Sequence, residues 1–130
     1  MRENDGIRKK GAQKMSDFDN YKDYILDKLD ERALLEQLAE EASELSQAAL
    51  KLIRAKGLSE NTTPKTEQEA VLALAEEITD CCIVIDLVCA QNWEVIGAIQ
   101  ENKFAKGDDV MSNPKWKRWA ERLGYEEEQK

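Results

Sequence analysis

Histidine is absent from this 130-residue chain. That absence removes most of the familiar catalytic and metal chemistry at once. No Ser-His or Cys-His pair is available for nucleophilic catalysis. Zinc is disfavoured, because no CxxC spacing accompanies the missing histidine. Basic charge is also in short supply, with a formal net charge of −8. A predominantly basic face, as nucleic acid or an anionic membrane would require, is therefore not expected. Long apolar runs are missing too. The longest, "CCIVIDLVCA", covers ten residues and contains Asp86, well short of a membrane span. The opening "MRENDGIRKKGAQKM" is polar throughout and does not read as a secretory leader. Neither a P-loop nor a GxGxxG is present. The three cysteines are odd in number and crowded into "CCIVIDLVC". They read as free buried thiols of a cytoplasmic protein, not as a disulfide framework.

What is present is helical patterning. Apolar residues make up 42% of the chain, enough for one small core and one domain. Residues 1–15 have no periodicity and read as a flexible tail, with Met15 as a candidate natural start. A first helix is expected over 17–29, capped by Ser16, with Phe18, Tyr21, Ile25 and Leu29 as its stripe. Asp30 caps a second helix running to about Lys56, with Gly57 at the left-handed C-terminal position. Thr66 and Glu69 form a capping box for a third helix that reaches about Gln91. A fourth is expected from about Trp93 to Lys106, ended by Gly107. Asn113 and Pro114 open a short last helix ended by Gly124. Residues 125–130 read as a frayed acidic tail. No strand pattern, repeat or low-complexity stretch appears. The expected domain is 16–124, all-α, a bundle of four to five helices.

Two of these helices carry the same anomaly. At about 100° per residue, Leu34, Leu45, Ala48 and Leu52 fall within about 40° of Glu41. Glu41 thus lies inside the apolar stripe of its helix, and Glu44 flanks it one turn on. On the third helix, Ala70, Cys81, Val84 and Val88 surround Glu77 in the same way, and Asp80 follows three residues later. A buried lone carboxylate costs several kcal/mol or takes up a proton. Several facing one another repel further. A compensating cation is expected: a lysine, an arginine or a metal. Oxygen ligands without histidine or thiolate suit Mg²⁺, with Mn²⁺ as a substitute.

The fourth helix continues its apolar line, Ile96 and Ile99, into Lys103 and Lys106, with Asn102 alongside. These cations read either as salt-bridge partners of the carboxylates or, if a metal neutralises those, as phosphate contacts. Lys51, Arg54 and Lys56 read as partners of the helix C-terminal dipole. Asp86 points about 180° from Glu77, toward another helix or subunit. The third helix is apolar nearly all round, so a homodimer or homotetramer is expected to cover it. Trp93, Trp116 and Trp119 read as core or interface anchors. Gln37, one turn before Glu41, is a weak candidate for contact with a base or sugar.

"EEASE" (Glu40 to Glu44) and "EITD" (Glu77 to Asp80) resemble the EExxE and ExxD motifs of the MazG-like, all-α nucleoside triphosphate pyrophosphohydrolases. "ENKFAKG" (Glu101 to Gly107) is similar to their downstream Asn-Lys segment. The resemblance spans about residues 30 to 107. It implies Mg²⁺-dependent hydrolysis of (d)NTPs to monophosphate and pyrophosphate. It also implies Glu41, Glu44, Glu77 and Asp80 as ligands, and Asn102, Lys103 and Lys106 as phosphate contacts. Glu40 would be an outer ligand or the base that activates water. Lys106 stands where many relatives carry Arg, which would turn a bidentate phosphate grip into a point contact. Two other classes remain open: a non-enzymatic helical adaptor with carboxylate–lysine networks, and a di-iron bundle, which normally needs Glu-x-x-His.

Overall fold

Asp30 sets the start of the central hairpin. Its backbone is extended, and its carboxylate accepts from the Ala33 N–H at 2.8 Å. This satisfies one of the donors that every helix start leaves without an internal partner. The computed structural model describes residues 17–101 and 114–128. Within them α1 covers 17–28, α2 Glu31–Ala55, α3 Glu67–Gln91, α4 Trp93–Glu101 and α5 Pro114–Arg122. No strand occurs among the described residues. The fold class is all-α. No helix among the described residues is long and apolar enough to cross a membrane. The expected tail 1–15, the Ser16 cap, the end of the fourth helix and Asn113 lie outside the described residues.

The other helix ends follow from local chemistry as well. Gly57 sits at φ 70° and Gly124 at φ 97°, where a Cβ would be strained. After α2, the N–H of Gly57 donates to the Arg54 carbonyl and that of Leu58 to the Ile53 carbonyl, both at 3.0 Å. This paired arrangement closes the last turn. Gly124 and Tyr125 repeat it after α5, donating to Glu121 and Ala120. At the start of α3 the capping box is reciprocal. The Glu69 N–H donates to Thr66 Oγ1 at 3.2 Å, and the Thr66 N–H donates to Glu69 Oε2 at 3.1 Å.

The contacts divide the chain between Gln91 and Asn92 into two units. In the first, α2 and α3 pack as an antiparallel pair. Lys56 Nζ lies 3.9 Å from Glu67 Oε1 at the loop end. At the other end the Gln91 amide donates to the Leu29 carbonyl at 3.0 Å. Leu34, Val84, Leu87 and Val88 form the buried cluster, with Ile25, Leu26 and Leu38 packed against it. Ala48, Ala70 and Cys81 continue the buried line toward the loop. The second unit holds α4 and α5.

Several expectations change here. The stripe assigned to α1 is only partly used: Phe18 is 73% and Tyr21 70% exposed. Ile25 reaches the core together with Leu26, while Lys22 pairs with Asp86 of α3 at 2.7 Å. Of the three free thiols, Cys81 is buried and Cys89 half-buried, but Cys82 is exposed. Neighbours in a helix point about 100° apart, so both cannot face one core. Trp93, Trp116 and Trp119 are exposed in this chain, which removes the core reading of them. Val71, Leu72, Ile78, Ile83 and Ile85 of α3 are exposed as well.

Candidate metal centre

Glu41 on α2 and Glu77 and Asp80 on α3 each offer one oxygen, and the three oxygens lie within 4.8 Å of one another. All three residues are half-buried. The antiparallel packing makes this meeting. Glu41 and Glu77 occupy the apolar stripes of their helices, so burying Ala48, Ala70, Cys81 and Val84 between the helices turns both carboxylates inward.

Their surroundings are incompletely satisfied. Gln37, one turn earlier on α2, donates from Nε2 to Glu41 Oε1 at 2.8 Å. Oε2 of Glu41 and Oε2 of Glu77 are buried without any hydrogen-bond partner. Buried polar atoms are nearly always partnered, and the few that are not call for a ligand, ion or water. Among the described residues, no lysine or arginine pairs with Glu41, Glu44, Glu77 or Asp80.

The electrostatics carry the same imprint. Burial, then the charges of Glu44, Asp80 and Glu41, push the Glu77 carboxyl above its ordinary value. A hydrogen bond shared with Glu44, which needs a proton on one of the two carboxyls, acts in the same direction. Burial, followed by the Glu41 and Glu77 charges, raises the Cys81 thiol, and its sulfur is not among the atoms that come together. The donor set is therefore hard oxygen only. Two orphaned carboxylate oxygens in a group of three fit a divalent cation of the Mg²⁺ or Mn²⁺ type.

The remaining candidates fall into three groups. Glu44 is exposed and outside the group of three, but it neighbours Glu77 and lines a cleft of about 320 Å³ beside it. Glu40 is exposed and lies neither in the group nor among the residues lining that cleft. Gln37 is engaged with Glu41 rather than directed to a separate ligand surface. Asn102, Lys103 and Lys106 lie outside the described residues.

The cleft also brings in side chains that patterning alone did not single out. Lys51 and Lys65 line it together with Glu44, Gln47 and Glu77. The signal for Lys51 was available, since it stands seven residues after Glu44 and so on the same helix face. Its position near the helix C-terminus had supplied a simpler explanation. Lys65 belongs to the loop, where no periodicity applies. Comparisons with protein-family models, with curated proteins and with solved structures find no match for this chain.

Proposed function

We propose that this protein is a Mg²⁺-dependent nucleoside triphosphate pyrophosphohydrolase of the MazG-like class, acting on dNTPs or altered NTPs in the cytoplasm. The observation that supports this reading best is the inward group of three carboxylates with two buried, unpartnered oxygens. Such a group is unfavourable by itself and becomes favourable around a divalent ion. Beside it lies an open cleft with lysines at one end, which suits an anionic substrate.

Glu41, Glu77 and Asp80 would hold the ion, with Glu44 as the fourth carboxylate of the set. When bound, the ion supplies neutralisation of phosphate charge and a lowered pKa for coordinated water. The chain's own residues do the positioning. Gln37 fixes the Glu41 carboxylate, and the helix hairpin holds donors from α2 and α3 in one place. A carboxylate of α2 takes the water's proton. Glu40 is the candidate from the motif resemblance, because Glu44 stands among the ligands. Asn102, Lys103 and Lys106 are retained as phosphate contacts on the motif resemblance.

The exposed Val71, Leu72, Ile78, Ile83 and Ile85 of α3 support a homodimer or homotetramer, because isolated chains seldom leave that much aliphatic surface in water. The same surface favours the alternative, a helical adaptor that binds no nucleotide. One experiment separates them. Pyrophosphate release is measured across a panel of canonical and altered nucleoside triphosphates with Mg²⁺ and again with EDTA. The expected result is Mg²⁺-dependent release, lost in Glu77→Gln and Asp80→Asn. Glu40→Gln is expected to keep Mg²⁺ binding and lose turnover, whereas Glu44→Gln is expected to weaken Mg²⁺ binding as well. No turnover of any nucleotide, with no thermal shift on adding Mg²⁺, would sink the enzyme reading in favour of the adaptor.

A further inference from the structure

The walls of the cleft between α2 and α3 change in character along its length. Glu44 and Glu77 stand at the end nearest the carboxylate group. Ala48 and Ala73 form its middle, with Gln47 beside them. Lys51 and Lys65 stand at the loop end. Two helical turns, about 10 Å along the axis, separate Glu44 from Lys51. The two alanines matter because larger side chains there would fill the gap between acid and base. Both lysines are half-buried, and among the described residues neither makes an ion pair. Lys56, five residues after Lys51, does find a carboxylate partner in Glu67. Two cations therefore face a space bounded by two anions without closing on them.

A cleft of this polarity suits an elongated anion. One part of it must carry oxygens that a cation can share with the carboxylates, and more negative charge must lie further along. A monophosphate has only the first part. We propose, on the basis of the pyrophosphohydrolase reading, that Lys51 and Lys65 form the seat of the leaving pyrophosphate. The substrate's β- and γ-phosphates lie toward the 56–66 loop, and its α-phosphate lies at the carboxylates. Water oxygen bonds to the α-phosphorus, and the bond from that phosphorus to the bridging oxygen breaks. Pyrophosphate leaves with the electron pair, and the water's proton passes to the α2 carboxylate. The lysines stabilise the charge that builds on the departing oxygens. This orientation explains cleavage next to the nucleoside, because the site of attack and the seat of the terminal phosphates are at opposite ends of one cleft.

The test uses the full chain with Mg²⁺, as wild type, Lys51→Met and Lys65→Met, with Lys28→Met on α1 as a reference. Inhibition constants are measured for inorganic pyrophosphate and for the nucleoside monophosphate. Pyrophosphate binding is also titrated by calorimetry, and thermal melts check that each variant is folded. Losing one charge-assisted contact is expected to weaken pyrophosphate about tenfold, while the monophosphate is unaffected. Lys51→Arg keeps most of the pyrophosphate affinity. Unchanged pyrophosphate affinity in both methionine variants, or equal weakening of both products, overturns the assignment. If the wild type hydrolyses no nucleotide, calorimetry still decides. Pyrophosphate binding that depends on the two lysines supports the anion seat while the hydrolase reading falls. No pyrophosphate binding removes both.

Discussion

Gln37 and Glu41 are joined by a hydrogen bond of 2.8 Å from the amide Nε2 to Oε1 of the carboxylate, while Oε2 of that carboxylate is buried with no partner. The amide holds one oxygen and so restrains the carboxylate that meets Glu77 and Asp80. A carboxylate held in this way has little freedom left to lose when it binds a cation.

Removing that restraint should loosen the site without removing a ligand. Gln37→Leu is expected to weaken Mg²⁺ affinity by about 10- to 100-fold and to leave the fold intact. Mg²⁺-dependent thermal shifts, titrated in wild type and variant, provide the measurement. Equal Mg²⁺ midpoints would show that Gln37 has no positioning role.

The raised Glu77 carboxyl ties stability to pH. Its pKa in the folded chain lies above the ordinary 4.5, so the folded state holds a proton that the unfolded chain has released. The resulting stabilisation is complete below about pH 4.5 and is lost as pH rises through the folded value. Burial contributes most to the shift, and the charges of Glu44, Asp80 and Glu41 add to it. In EDTA, the melting temperature should therefore fall with rising pH across this window, and Glu77→Gln should flatten the fall. Mg²⁺ binds the deprotonated set, so its thermal shift should grow over the same range. Melting curves at several pH values, with EDTA and with Mg²⁺, check both trends.

Leu34 is 0% exposed and joins α2 to Val84, Leu87 and Val88 of α3. Leu34→Ala should cost about 2–5 kcal/mol, from lost transfer energy and the cavity left behind. Equilibrium urea unfolding reads this as a lower midpoint with an unchanged slope. A loss below about 1 kcal/mol would mean that the site collapses around the smaller side chain.

The adjacent thiols report on the two faces of α3. Cys81 is buried, and burial, with the carboxylate charges, raises its thiol, so alkylation should be slow at every protein concentration. Cys82 is exposed on the same face as Ile78 and Ile85. Labelling followed by mass spectrometry should find Cys82 fast in dilute protein and protected as the proposed oligomer forms. Fast labelling at all concentrations would argue that this face stays uncovered.

Much of the architecture was legible without coordinates because helix ends are local chemistry. Asp30, Gly57, the Thr66–Glu69 box and Gly124 act within a few residues of where they stand, and each does what its type requires. The inward turn of Glu41 and Glu77 was legible for the same reason, since a wheel needs only the residues of one helix. α1 was less legible. Its apolar spacing did not reveal that Phe18 and Tyr21 would stay exposed while Leu26 packed, because that depends on what lies opposite.

Taken alone, the order of residues determined the helices, the caps of α2, α3 and α5, and the inward turn of Glu41 and Glu77 on α2 and α3. Tertiary structure decided which carboxylates meet: Glu41 joins Glu77 and Asp80, while Glu44 stays at the edge with the cleft. It also decided that Lys51 and Lys65, one helical and one in a loop, line the same space. The difference is physical. Periodicity and capping act over one or two turns of a single helix, whereas the distance between side chains on separate segments is set by how α2 and α3 pack.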